Sequence, residues 1–326
     1  MPDAPLNWMA APKREDISHH ALLDLIMGAR DDAARIALLS DAARLLPPWE
    51  LKRLYAKMRA GYAPQDVPRD VARRAVLWHR LTKEQPQRYR VVNHGPHVTF
   101  YRASPPQKER NLLILFAGRD GVLFAAACTI LAELNHPNLD VVLLRRAPGY
   151  DFRAGLPGYG RSLTQMFTTL GRIVNVARYA NIGTAGVSMG GVPAIAAAQH
   201  FNARIGLSIS GRYPTMDDPV ALCQNPPAFE PFCDCNQRPG PQLATVFGAK
   251  NSSDLASALR LRSISRSVKL LSFAELDQHN SIAYLKAHRK LQVFFQGLVD
   301  SIRTGSDFAA HFRAEIENCP AYPATA

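Results

Sequence analysis

The sequence of 326 residues predicts an α/β protein whose core is a mainly parallel, doubly wound β-sheet. Apolar strands alternate with helical segments from residue 88 onward, which is the pattern of parallel strands joined by crossover helices. A Gly-x-Ser-x-Gly segment, residues 186–190, lies between a strand and a helix. Hydrophobic residues make up 47% of the chain, which is ample for a substantial core.

Residues 1–85 predict a helical extension that precedes the sheet. Apolar residues recur every three to four positions between residues 17 and 82, and prolines and a glycine separate the helices. No period repeats with a consistent signature, so a repeat domain is not predicted. We expect this extension to pack against the main domain; an independent module that binds a protein partner is the alternative.

Residues 86–303 are expected to form the main domain. It begins with two strands, at 89–92 and 97–101, which a turn joins before the parallel sheet. Further strands are predicted at 111–116, 140–144, the segment before Gly186, 204–210, 242–247 and 268–273, and helices at 122–134, 163–178, 192–200, 254–261 and 281–302. Residues 304–326 are expected to form a tail with one short helix.

An irregular, proline-rich segment at residues 211–241 interrupts the alternation of strands and helices. Long irregular inserts in compact domains are usually functional, so we predict a lid or binding loop here. Its aromatic residues Tyr213, Phe229 and Phe232 are candidate substrate-binding residues. The alternative is that the same side chains only pack the loop down.

Ser188, the central residue of the Gly-x-Ser-x-Gly segment, is the candidate nucleophile. A serine on a sharp strand-to-helix turn has a strained backbone, and glycines two residues to either side let the strand and the helix approach closely. The turn leaves the first N–H groups of the following helix unpaired. Met189 can therefore offer its N–H to an oxyanion, which the helix dipole also stabilises.

A serine nucleophile needs a base, and the base needs an acid that orients it. His279 follows the last predicted strand, at the edge of the sheet where Ser188 emerges, and is the candidate base. Asp254 follows the preceding strand and is the candidate acid. Asp217 and Asp218 are the alternative acids, and Asp254 has an alternative role as a helix N-cap.

A second oxyanion donor is expected from the loop after the strand at 111–116. The backbone N–H groups of Gly118 and Arg119 are the candidates. The guanidinium of Arg119 has two alternative roles. It either pairs with Asp120 at the surface or points inward and holds an anionic group of the substrate.

Composition argues against several other classes of function. The formal net charge of +12 is dispersed, and no basic run interleaved with aromatic residues indicates nucleic-acid binding. The five cysteines are expected to be reduced, and Cys223, Cys233 and Cys235 lack the spacing and the fourth ligand of a zinc site. No metal or cofactor is therefore predicted. Without a signal-peptide pattern or a long apolar run, the chain is expected to be cytoplasmic and to have no membrane span.

Together these motifs resemble the α/β-hydrolase superfamily over residues 88–302. The likeness consists of the turn at residues 186–190, the small Ala117-Gly118 loop, Asp254 after one late strand and His279 after the next. Residues 155–160, Gly-Leu-Pro-Gly-Tyr-Gly, are also similar to a segment of bacterial hydrolases of poorly defined substrate. The resemblance implies a serine esterase or acyl hydrolase.

Three functions are compatible with this pattern. In the first, Ser188 attacks the ester or thioester of a small-molecule or acyl-carrying substrate, as in a carboxylesterase or thioesterase, and water resolves the acyl-enzyme. In the second, the same triad transfers the acyl group to an alcohol or amine. In the third, the chain is a non-catalytic binding or scaffold protein whose N-terminal helices recruit a partner.

Overall fold

The computed structural model of the chain describes residues 24–29, 38, 54, 56, 60, 88–95, 97–104, 109–118, 121, 123–125, 127–134, 136–146, 152–213 and 240–317. Contacts between Cα atoms divide these residues into two compact units. The first unit holds the described residues up to Arg88 together with 127–132, and it includes a helical segment at 24–27. The second unit holds the described residues of 89–125 and of 133–317.

The second unit is built on an eight-stranded sheet in the order β1-β2-β4-β3-β5-β6-β7-β8. Strand β2 runs antiparallel to β4, and neighbouring strands from β4 through β8 run parallel. The mainly parallel sheet predicted from the sequence is therefore confirmed. The strands are β1 (Arg88–His94), β2 (Val98–Ser104), β3 (Asn111–Phe116), β4 (Leu139–Leu144), β5 (Asn181–Val187), β6 (Ile205–Ile209), β7 (Gln242–Gly248) and β8 (Val268–Phe273).

Seven further α-helices are described between residues 127 and 315, most of them between strands. They are α1 (Ala127–Glu133), α2 (Leu163–Val174), α3 (Gly191–His200), α4 (Ser252–Ile264), α5 (Ser281–Ala287), α6 (Leu291–Thr304) and α7 (Phe308–Glu315). Short 3-10 turns lie at Phe152–Ala154, Val176–Arg178 and Ser188–Gly190. Most of α1 groups with the first compact unit and the other six helices belong to the second.

Helices α3 and α6 cover opposite faces of the sheet. Gly183 and Thr184 are consecutive in β5 and therefore face opposite sides. Oγ1 of Thr184 donates to the carbonyl oxygen of Ala194 in α3 at 2.6 Å, whereas a Cβ on Gly183 would overlap the side chain of Ile302 in α6. Because helices cover both faces, β3 and β4 are buried along their whole length, which explains why apolar residues occupy most of their positions.

The single helix predicted over residues 281–302 is two helices in the structure. Helix α5 ends at Ala287, and α6 begins at Leu291. Between them Arg289 has a φ of 57°, in the left-handed region, and the N–H of Lys290 donates to the carbonyl oxygen of Leu285 at 2.8 Å. No proline or glycine marks this break, so apolar spacing alone predicts one continuous helix.

Helix α7 contributes to the core. Its residues Phe308 and Phe312 are buried, and the Phe312 ring centroid lies 5.2 Å from that of Phe273 in β8. The Phe308 centroid lies 5.5 Å from that of Phe294 in α6. The first part of the predicted tail is thus held to the sheet by aromatic packing.

Candidate active site

A sharp turn connects β5 to α3 and presents Ser188. Val187 ends β5, Ser188 has a φ of 51°, and the 3-10 turn Ser188–Gly190 leads directly into α3. A side chain on Gly186 would overlap the carbonyl oxygen of Gly190, and one on Gly190 would overlap the carbonyl oxygen of Phe116. Glycine is therefore required at both positions by the close approach of the strands and the turn.

Ser188, His279 and Asp254 form a continuous hydrogen-bonded chain. Nε2 of His279 lies 2.9 Å from Oγ of Ser188, and Nδ1 of His279 lies 2.6 Å from Oδ1 of Asp254. Asp254 is fully buried, Ser188 is buried, and the His279 side chain is 28% exposed. The arrangement can move a proton from the serine to the imidazole and stabilise the imidazolium that results.

Asp254 does not cap helix α4. Asn251 is the N-cap, and its Oδ1 accepts the N–H of Asp254 at 3.0 Å. Asp254 is therefore the third residue of the helix, where the helix dipole favours a carboxylate. Among the described residues, none donates a hydrogen bond to its second oxygen, Oδ2, so His279 is its side-chain partner. The alternative acids Asp217 and Asp218 lie outside the described residues.

The loop that carries His279 is hydrogen-bonded to the loop that precedes Asp254. Nδ2 of Asn251 donates to the carbonyl oxygen of Asp277 at 3.0 Å, and the N–H of Lys250 donates to that of Leu276 at 3.1 Å. Asn280 caps helix α5 by accepting the N–H of Ala283 at 2.9 Å. These bonds hold the imidazole between two anchored segments.

The structure describes two of the three residues that the sequence predicts as oxyanion donors. Met189 is the second residue of the turn that begins α3, so its N–H lacks a carbonyl partner four residues earlier in a helix. Gly118 is buried just beyond β3, and the neighbouring Ala117 N–H is already taken by the carbonyl oxygen of Leu144 at 2.9 Å. Arg119 lies outside the described residues.

The predicted substrate-binding residues are largely outside the described part of the chain. Of the lid segment, residues 211–213 and 240–241 are described, whereas Phe229 and Phe232 are not. Tyr213 is half-buried, and the guanidinium carbon of Arg260 lies 5.8 Å from its ring centroid. This Tyr213 contact is a cation–π interaction with α4.

Three features of the site had no role in the sequence prediction. The ring of Phe124 lies perpendicular to that of His279, with 5.2 Å between their centroids. Oγ of Ser210, after β6, lies 2.6 Å from Oγ of Ser281. The Asn251 cap is readable from the sequence, since Asn precedes the helix by one residue, but nothing local marks Phe124 or the serine pair.

Within the described residues, no group of three or more His, Cys, Asp or Glu side chains is arranged to hold a metal ion. The same part of the chain contains no helix with the length and apolar character needed to cross a bilayer. The site is thus made of a serine, a histidine and a carboxylate, with backbone N–H groups around them.

The chain resembles known proteins in its structure. Neither a protein-family model nor a curated protein matches the sequence. The solved structure of a 2,6-dihydroxy-pseudo-oxynicotine hydrolase covers 92% of this chain and 92% of its own, at 12% identity and a TM-score of 0.48. The solved structure of an esterase from Pyrobaculum calidifontis covers 78% of this chain and 97% of its own, at 15% identity and a TM-score of 0.47. The solved structure of a bacterial heroin esterase covers 83% of this chain and 96% of its own, at 13% identity and a TM-score of 0.46.

The architecture itself defines the class. An eight-stranded, mostly parallel sheet carries a serine on a strained strand-to-helix turn after β5, and Asp254 and His279 follow later in the chain, after β7 and β8. This is the α/β-hydrolase fold.

Proposed function

We propose that the chain is a serine hydrolase of the carboxylesterase or thioesterase type, which cleaves an ester or thioester through an acyl-enzyme. The observation that carries the proposal is the placement of His279, whose two ring nitrogens lie within hydrogen-bond distance of Ser188 and Asp254. A serine becomes a useful nucleophile only with such a base, and the base keeps its orientation only with such an acid.

The acylation step follows from this arrangement. Oγ of Ser188 bonds to the carbonyl carbon of the substrate as its proton passes to Nε2 of His279. The oxygen of the tetrahedral intermediate accepts hydrogen bonds from the N–H of Met189 and from the loop after β3. The bond to the leaving alkoxide or thiolate then breaks, and the leaving group takes the proton from His279.

Deacylation repeats these steps with water. His279 accepts a proton from water as the water oxygen bonds to the acyl carbon. The tetrahedral intermediate collapses with release of the carboxylic acid, and Oγ of Ser188 recovers its proton from His279. In both steps the carboxylate of Asp254 stabilises the imidazolium.

Replacement of the nucleophile tests the proposal directly. The wild-type protein is expected to hydrolyse a short 4-nitrophenyl ester and to be labelled by a fluorophosphonate at Ser188. Ser188→Ala is expected to abolish both while the circular dichroism spectrum stays that of the wild type. Wild-type protein that is folded but neither labelled nor active would instead favour a non-catalytic binding or scaffold protein.

Replacement of the acid tests the second half of the assignment. Asp254→Asn is expected to lower kcat by about 10³- to 10⁴-fold, because the amide can no longer hold the imidazole in the productive tautomer. Asp217→Asn and Asp218→Asn are the matched controls and are expected to retain activity. Full activity in Asp254→Asn, with loss in either control, would transfer the role to that control position.

A further inference from the structure

Asn251 makes hydrogen bonds to both segments that carry the Asp254–His279 pair. Its Oδ1 accepts the N–H of Asp254 at 3.0 Å, and its Nδ2 donates to the carbonyl oxygen of Asp277 at 3.0 Å. Asp277 lies two residues before His279, on the loop after β8. One amide side chain therefore fixes the backbone of the proposed acid and the backbone of the loop that carries the proposed base.

The hydrogen-bond partners of Asn251 define which way its amide points. Its Oδ1 also accepts the hydroxyl of Ser253 at 2.9 Å, so two donors meet this oxygen while a carbonyl oxygen meets Nδ2. In the flipped orientation the NH₂ group would face the N–H of Asp254, the oxygen would face the carbonyl of Asp277, and both contacts would be repulsive. The position therefore needs an acceptor and a donor on one short side chain, which asparagine supplies.

The carboxylate of Asp254 has few other contacts that would fix its orientation. Asp254 is fully buried, its Oδ1 lies 2.6 Å from Nδ1 of His279, and its Oδ2 has no hydrogen-bond partner among the described residues. A buried carboxylate with a single side-chain donor is held in place by that donor and by its own backbone. Its alignment with the imidazole therefore depends on the two backbone segments that Asn251 joins.

Lys250 also joins these two segments, but without contacting the proposed acid or base. Its backbone N–H donates to the carbonyl oxygen of Leu276 at 3.1 Å, and its side chain forms an exposed ion pair with Glu275. Exposed ion pairs contribute little to the free energy of folding. Asn251 is therefore the described side chain that hydrogen-bonds both to the acid and to the loop of the base.

We propose that Asn251 is a positioning residue for the serine hydrolase reaction, and that it aligns Asp254 with His279 by fixing the segment that carries each. The inference rests on the proposed function. Small displacements of catalytic groups slow a reaction, because the rate depends on near-ideal distances between the reacting groups. None of the side-chain hydrogen bonds of Asn251 involves Ser188 or Met189, so the loss of these bonds should lower kcat and leave KM unchanged.

Variants of Asn251 separate its two hydrogen-bonding roles. Asn251→Asp and Asn251→Ser keep a good N-cap acceptor for α4 but lose the donor that reaches Asp277, whereas Asn251→Ala loses both. The matched control is Lys250→Gln, which removes the exposed ion pair between the same two segments. For each protein, kcat and KM are measured on a short neutral 4-nitrophenyl ester, together with the midpoint of thermal unfolding.

The two variants that keep the cap should lose activity without losing the fold. Asn251→Asp and Asn251→Ser are each expected to lower kcat about 5- to 10-fold with KM unchanged, the size expected for one hydrogen bond that supports the transition state. Their unfolding midpoints should stay within about 3 °C of the wild type, because aspartate and serine cap helices about as well as asparagine does. Asn251→Ala should lose at least as much kcat and have a lower midpoint, and Lys250→Gln should keep the wild-type kcat.

A double variant tests whether Asn251 acts through Asp254. If it does, adding Asn251→Ser to Asp254→Asn should lower kcat no further than Asp254→Asn alone, because the pair that Asn251 aligns is already disrupted. A further loss equal to that of Asn251→Ser alone would mean that the two residues act independently, and it would contradict the positioning role.

Wild-type kcat in either Asn251→Asp or Asn251→Ser would overturn the inference, as would an equal loss of kcat in Lys250→Gln. If a fluorophosphonate labels Ser188 and the wild type hydrolyses the ester in that case, the hydrolase function stands and only the role of Asn251 fails. If Ser188 is not labelled and no ester is hydrolysed, the hydrolase function fails, and the inference fails with it.

Discussion

Phe124 combines an unfavourable backbone conformation with a contact to His279. Its φ of 59° lies in the left-handed region, which a bulky aromatic residue rarely adopts. Its ring meets that of His279 edge to face, with an interplanar angle of 87°. Strained residues persist where surrounding structure holds them, and they concentrate at functional sites. We infer that Phe124 is a positioning residue that limits the tilt of the imidazole toward Ser188.

Removal of this ring should lower turnover more than binding. Phe124→Leu is expected to reduce kcat about 3- to 10-fold with little change in KM, because an aromatic pair contributes about 0.5–1.5 kcal/mol and its loss lets the imidazole move. Steady-state kinetics on a neutral 4-nitrophenyl ester measures the split. Phe124→Tyr keeps the ring and should recover wild-type kcat; equal losses in both variants would contradict a positioning role.

Strand β6 and helix α5 are joined next to the active site by two serines. Ser210 follows β6 with a φ of 44°, and its N–H donates to the carbonyl oxygen of Val246 at 2.7 Å. Its Oγ is 2.6 Å from Oγ of Ser281, the first residue of α5, and both side chains are fully buried. Ser281 lies two residues after His279. Ser210 lies two residues before Arg212, whose N–H donates to the carbonyl oxygen of Ser188 at 3.0 Å, so the serine pair connects the loop of His279 to the turn of Ser188.

This pair should behave as a coupled unit. Ser281→Ala is expected to lower the free energy of unfolding by about 1–3 kcal/mol, because it leaves the hydroxyl of Ser210 buried without a partner. Adding Ser210→Ala removes that hydroxyl, so the double variant should lose less than the sum of the single variants. Urea unfolding of the four proteins measures the coupling.

Ser263→Ala is the control for this cycle. Ser263 is exposed, and its Oγ donates to the carbonyl oxygen of Arg260 within helix α4. Its replacement should change the free energy of unfolding by less than about 0.5 kcal/mol. Strictly additive losses at Ser210 and Ser281 would show that the two hydroxyl groups are not coupled.

A buried carboxylate, that of Asp140, lies at the edge of the sheet opposite Ser188. At the edge opposite Ser188, the buried Asp140 accepts hydrogen bonds from Arg110, from Tyr179 and from the N–H of Ala103. Burial raises the pKa of Tyr179 to about 12, so it donates as a neutral phenol. For histidines burial has the opposite effect, because the charged form is the protonated one. It lowers the pKa of four described histidines, His94, His97, His136 and His200.

These histidines should make the fold sensitive to mild acid. Their pKa values are lower in the folded state than in the unfolded state, so below about pH 6.5 the unfolded chain binds more protons than the folded chain. The free energy of unfolding therefore decreases as the pH is lowered. The midpoint of thermal unfolding should therefore decrease between about pH 7.5 and about pH 5.5. The midpoint for His200→Phe should decrease less, because the exposed His200 ring contacts the rings of Phe167 and Phe201 and phenylalanine has no proton to gain.

The comparison of His200→Phe with the wild type isolates one histidine from the other titrating groups. The difference between the two unfolding midpoints should widen in favour of the variant as the pH falls. A constant difference across the same range would mean that His200 does not contribute to the pH dependence.

Much of the fold could be predicted because parallel strands buried on both faces leave a plain apolar signal. Strands β3 and β8 begin and end at the predicted residues, and β4, β6 and β7 differ by one residue at one or both ends. The break between α5 and α6 was missed, because it depends on the left-handed conformation of Arg289 and not on a proline or glycine. Helix ends set by backbone conformation leave little trace in apolar spacing.

The sequence alone predicted the order of Ser188, Asp254 and His279 and the strand ends from which they project, because glycine spacing and strand periodicity are local properties of the chain. Only the tertiary structure decided that Asp254 faces His279, that Phe124 lies against the imidazole, and that Arg146 reaches Met189. These contacts join residues from different strands and loops. Their geometry depends on how the sheet brings its loops together, and no local pattern of residues encodes it.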